Sequence, residues 1–131
     1  MNKQEVFNTV WNHINEQNLA SYGALPDNDQ NDYGSEGCLY RNAYGHKCAI
    51  GCLIPDDKYH SDMEGKSVTS LVVDFPQALE HIAPSVKDCE FLEQLQYAHD
   101  GIVHGGMERW RETMYAMAKR YNLEVPGVSL L

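Results

Sequence analysis

One stretch, residues 38–56, constrains this chain more than any other. It reads Cys38-Leu39-Tyr40-Arg41, then a turn-forming Asn42-Ala43-Tyr44-Gly45, then His46-Lys47-Cys48-Ala49-Ile50-Gly51-Cys52-Leu53-Ile54-Pro55-Asp56. Two apolar arms flank a tight turn, and three of the four cysteines fall within fifteen residues, so this is the segment around which a core is expected to form. The first arm predicts a strand and residues 42–45 a hairpin turn. The second arm fits either a return strand or a short strand passing directly into a buried helix in which Gly51 permits close packing. Periodicity does not separate short buried strands from short buried helices. Pro55 ends the element in either case, because it lacks an amide hydrogen.

Helical signals flank this segment. Val6, Phe7, Val10, Trp11 and Ile14 mark one face of a helix over residues 3–19, and Asn2 with Glu5 three residues on fits a capping box. Ser67 can cap a short helix that buries Val68, Leu71, Val72 and Phe75, and Pro76 can start another turn. Ser85 with Asp88 predicts a further helix carrying Phe91, Leu92, Leu95, Ala98 and Ile102, broken at Gly105-Gly106. Met107, Trp110, Met114, Met117, Ala118 and Tyr121 then trace the stripe of the last helix, so C-terminal helices span residues 85–122. Residues 21–37 lose all periodicity and gather Gly, Pro, Asn and Asp, which predicts a long acidic surface loop. The expectation is one domain over residues 1–131: a helix-dominated α+β fold, a small helical bundle with one short β-hairpin around residues 42–45 and the cysteine-rich segment 38–56 at its centre.

The charge excludes some functions. Nineteen acidic against ten basic residues leave a formal net charge of -9, which repels phosphate backbones and argues against direct nucleic-acid binding while favouring a basic protein partner. No apolar run approaches the roughly 20 residues of a membrane span, and the N-terminus leads into an amphipathic segment without a signal peptide, so a cytoplasmic location is expected. The exposed acidic candidates for partner binding are Asp27, Asp29, Asp32 and Glu36 in the loop, with Asp56, Asp57, Asp62 and Glu64 after the cysteine segment.

Several constellations could carry chemistry. Cys48 and Cys52 would share a helix face, and the turn could bring Cys38 and His46 to them as a zinc tetrad. Structural zinc sites usually show two such ligand pairs, and Ala49, Ile50 and Gly51 read as core, so packed thiols are the preferred reading and no cofactor is expected. Cys48 is also the better candidate for a catalytic thiol at a helix start. His99-Asp100 has the form of the central pair of metal-dependent phosphohydrolases, with His81 as an upstream ligand, but no Asp follows Asp100. Both calcium-loop registers fail, because starting from Asp27 the sixth and twelfth positions hold Asp32 and Cys38, and from Asp29 they hold Gly34 and Tyr40.

The string Cys38-Leu39-Tyr40-Arg41, a Gly-containing turn, residues 47–56, then Tyr59 and Met63-Glu64-Gly65 resembles a family of small uncharacterised proteins of bacteria and their phages. More loosely, the resemblance extends to the N-terminal helix and to Leu95-Gln96-Tyr97-Ala98-His99-Asp100 with Trp110. It implies a fold and a phage or prophage origin, and no catalytic residues. The functional expectation is a small acidic accessory protein that acts by binding another macromolecule, a host or defence protein on the phage reading. The alternative is a small metal-binding or cysteine-dependent enzyme centred on Cys48, with Cys52, Cys38 and His46 as ligands or neighbours.

Overall fold

The computed structural model describes residues 1–24, 36–82 and 89–127. Helix α1 (Lys3–Gln17) starts where expected: the Asn2 side chain accepts from the Glu5 amide while Glu5 reaches back to the Asn2 amide. It stops at Asn18, which turns the chain in the left-handed conformation. Its five predicted apolar residues are all buried. Trp11 stacks on Trp110 with ring centroids 5.1 Å apart, a contact worth about 0.5–1.5 kcal/mol beyond the area it buries.

After α1 come two three-residue strands, β1 (Tyr22–Ala24) and β2 (Glu36–Cys38), paired antiparallel with Gly23 opposite Gly37. The hairpin is therefore displaced from its expected place. Around residues 42–45 the structure keeps the turn but only a single bridge, Arg41 to Lys47, and residues 47–54 are not a return strand. Instead the chain coils from Cys48 into a three-residue 3-10 turn, Gly51–Leu53, which keeps the close packing at Gly51 from the second alternative but neither its strand nor its α-helix. The aperiodic stretch 21–37 supplies both strands at its ends, and residues 25–35 between them lie outside the described residues. Three-residue strands are too short for an alternation pattern to register, so the hairpin left no signal in the sequence.

Downstream, two further 3-10 turns precede α2 (Val68–Asp74), which is capped by Ser67, and the turn Pro76–Leu79 follows it. The Ser85 cap falls outside the described residues; helix α3 (Cys89–Tyr121) begins after it. A non-helical residue, Gly106 at φ 71° and ψ -173°, divides α3. That conformation belongs almost exclusively to glycine. The two arms fold back on each other: Arg120 reaches Glu90 at 2.6 Å and Phe91 meets Tyr121 edge-on at 5.0 Å. A straight helix would hold residues 30 positions apart at about 45 Å. The arms pack with α1, α2 and the 3-10 segment around one cluster of buried side chains that includes Phe7, Ile50, Leu71, Leu92 and Trp110.

Tyr40 sits at the junction of these pieces. Its amide donates to Glu64 Oε1 at 2.7 Å, its carbonyl accepts from Cys48 at 3.2 Å, and its hydroxyl donates to the Lys66 carbonyl at 2.7 Å. Gly51 lies directly against it, so a Cβ there would stand 2.0 Å from the Tyr40 carbonyl oxygen. Because the obstacle is backbone, Gly51→Ala is expected to cost about 1–3 kcal/mol, read as a lower urea midpoint at unchanged m-value. A variant as stable as the parent would mean the two segments are not in contact.

Candidate functional site

A groove of about 640 Å³ runs between the β1–β2 pair, the start of α2 and the first arm of α3. Tyr22, Cys38, Lys66, Asp100, Val103 and His104 are among its lining residues. Of its lining residues, Cys38, Gln96 and Asp100 belong to a polar network assembled from three distant parts of the chain. Ser21, fully buried, donates its amide to His99 Nε2 at 3.0 Å and its hydroxyl to the His46 carbonyl at 3.1 Å, and its own carbonyl accepts from Leu39 at 2.9 Å.

The Ser21 contact fixes the protonation of His99. A ring nitrogen that accepts from a backbone N–H carries no proton, so the hydrogen of this neutral, fully buried imidazole is on Nδ1. From there it donates to Asp100 Oδ1 at 3.1 Å. Gln96 donates to the same oxygen at 3.1 Å, and the Cys38 thiol also donates to the Asp100 carboxylate. Burial, with that hydrogen bond and the Asp100 charge, pushes the Cys38 thiol up to about 12. Cys38, His99 and Asp100 thus have the composition of a nucleophilic site without its polarity: the thiol is held protonated, and the imidazole offers it no free lone pair.

The other sequence candidates are placed differently. Cys48 is completely buried, its sulfur accepts from the Gly51 amide at 3.2 Å, and burial raises its pKa strongly. Cys52 donates to the Ala49 carbonyl at 3.1 Å and is raised to about 12, again by burial. His46 Nδ1 is 3.1 Å from Asn42 Nδ2. Among the described residues the one group of three metal-capable side chains that converges is Cys38, His99 and Asp100, so Cys38, His46, Cys48 and Cys52 are not brought together as a tetrad. Cys48 and Cys52 instead each make a hydrogen bond within their own turn, and the coil at residues 48–53 turns Cys48 inward to the core.

The acidic candidates divide as well. Asp27, Asp29 and Asp32 lie outside the described residues, as does the side chain of Glu36. Asp56 is exposed but paired with Arg41 at 2.9 Å and Lys47 at 3.4 Å; Lys47, with Arg41, holds its carboxyl below the usual range. Asp57 is exposed, and Asp62 lies 3.4 Å from His60. Glu64 was expected on an exposed acidic patch, and here the structure corrects the sequence. It is half-buried, accepts from the Tyr40 and Arg41 amides at 2.7 and 3.0 Å, and receives the Tyr59 hydroxyl at 2.6 Å. A carboxylate with three donors is committed to the fold. Tyr59 is pushed up by burial and by this bond, and the Arg41 guanidinium lies 4.7 Å over its ring.

Two outcomes check this arrangement. Glu64→Gln replaces one acceptor oxygen with a donor that faces a backbone N–H, so it should cost about 1–3 kcal/mol in chemical denaturation. Alkylation mapped by mass spectrometry should find Cys48 labelled only when the protein unfolds. Labelling of Cys38 should be slow at pH 7 and climb about tenfold per pH unit without a plateau below pH 10, since its thiolate fraction is still small there. A plateau near pH 8 would contradict the network.

Searches against family models, curated proteins and solved structures find no match to this chain.

Proposed function

We propose that the protein is a non-enzymatic binding protein whose partner is a basic macromolecule, engaged through the acidic loop closed by the β1–β2 pair. One observation carries the reading. Between Lys3 and Arg41 the chain holds six carboxylates and no Lys or Arg, and four of the six are Asp27, Asp29, Asp32 and Glu36. Pairing of Ala24 with Glu36 brings the two ends of this acidic stretch together, and the Ser21–His99–Asp100–Cys38 network ties the strand pair to α3. Such a local excess of one sign attracts a basic surface over about a Debye length and speeds encounter.

The second acidic stretch supports the reading less than its composition suggested, because Asp56 is shared between two cations and Glu64 is taken up by the Tyr40 and Arg41 amides. Cys48 gives no support to the enzyme alternative, being sealed from solvent and protonated. The resemblance to bacterial and phage proteins makes a host or defence protein the natural class of basic partner.

Replacing Asp27, Asp29 and Asp32 by Asn should weaken binding of an arginine-rich probe peptide and flatten its salt dependence. A control variant with Glu80, Glu108 and Glu112 changed to Gln removes the same charge from exposed positions elsewhere. Fluorescence anisotropy at two ionic strengths separates the cases: equal losses in the two variants would show that bulk charge alone, and not the loop, attracts the probe.

A further inference from the structure

Cys38 Sγ, a ring nitrogen of His99 and a carboxylate oxygen of Asp100 all lie within 4.8 Å of one another at the groove. Thiolate, imidazole and carboxylate together are the ligand set of zinc-like ions. His99, however, is not the imidazole that could serve. A metal on Nδ1 would require the proton on Nε2, and that N–H would face the Ser21 N–H 3.0 Å away, donor against donor. His99 is a positioning residue instead: its Nδ1–H holds Asp100 Oδ1, as supporting donors do for carboxylate ligands.

A second imidazole is available on the same wall. His104 stands four residues after Asp100 on α3, which places the two on one helix face with Cβ atoms about 5–6 Å apart. It is exposed and lines the groove with Cys38 and Asp100; its ring is not among the atoms that already converge, so a bound ion would draw it in by side-chain rotation. The pair also occupies the last turns before the break at Gly106, where the negative end of the helical arm favours a cation.

We propose that Cys38, Asp100 and His104 bind one divalent transition-metal ion of the zinc type, with a fourth position open to the groove. Asp100 binds through Oδ2, because Gln96 and His99 both donate to Oδ1. Cys38 releases its thiol proton to solvent as the sulfur–metal bond forms, so the metal takes the place of a proton now directed at Asp100. Three protein ligands with one open position form the arrangement of a metal that receives an exogenous ligand. The proposal uses none of the acidic residues invoked above and does not depend on that binding role.

The test is titration of Co²⁺ into full-length protein purified without metal-affinity steps, followed by Zn²⁺ competition. One equivalent should bind, giving the visible bands of a tetrahedral ion and a near-ultraviolet thiolate-to-cobalt charge-transfer band. Cys38→Ser should abolish the charge-transfer band, and His104→Ala should weaken binding by about tenfold or more. Cys52→Ser should leave both unchanged. His104 is exposed, so its variant keeps the test sharp even if Cys38→Ser is poorly folded. No charge-transfer band in the parent, undiminished affinity in His104→Ala, or loss of the band in Cys52→Ser would each overturn the assignment.

Discussion

The Tyr40 carbonyl occupies the space that any side chain at position 51 would need, and that approach joins the two arms of the cysteine segment. Tyr40 can hold this position because all three of its polar groups are satisfied: the amide by Glu64, the carbonyl by Cys48 and the hydroxyl by the Lys66 carbonyl. Glu64 in turn receives the Arg41 amide and the Tyr59 hydroxyl, and Arg41 reaches the Ile54 carbonyl at 2.7 Å. A few side chains therefore fix the course of the backbone from residue 40 to residue 66. An unmet buried donor would cost about 1–3 kcal/mol, which makes this bracing cooperative.

Around this brace the polar side chains of α1 and α3 act as clamps. Gln17 bonds both the amide and the carbonyl of Lys47, at 2.8 and 3.0 Å, and His13 approaches the same carbonyl at 3.2 Å, its pKa lowered chiefly by burial. Ser21 and His99 do the same for the strand pair. This second set of contacts positions Cys38 and Asp100 at the groove, so residues that look chemical in a list, such as His99, are committed to holding the chain. Left over at the groove surface are the outer side of Asp100, the Cys38 sulfur and the exposed ring of His104.

The distribution of charge follows the same division. Asp56, near Arg41 and Lys47, is drawn into pairs, whereas Asp27, Asp29 and Asp32 have no Lys or Arg within eight residues in sequence. Composition alone treats both groups as one acidic surface. Packing distinguishes them, because a carboxylate such as Glu64 that satisfies backbone amides ceases to be available to a partner.

The sequence by itself determined the elements that depend on local physics. The capping box at Asn2 and Glu5, the apolar face of α1, the Ser67 cap and the break beside Gly105 could all be read from neighbouring residues, because each rests on contacts within a turn or two. So could the close-packing role of Gly51, as one of two alternatives. Tertiary structure alone decided that the hairpin forms from residues 22–24 and 36–38, that the two arms of α3 run back along each other, and that Glu64 binds the backbone amides of residues 40 and 41. It also decided that Cys38 meets Asp100 and His99 instead of Cys48 and Cys52. These partners are separated by 60 or so residues, and hydrogen bonds over such distances are chosen by how the whole core closes, for which no local pattern in the chain exists.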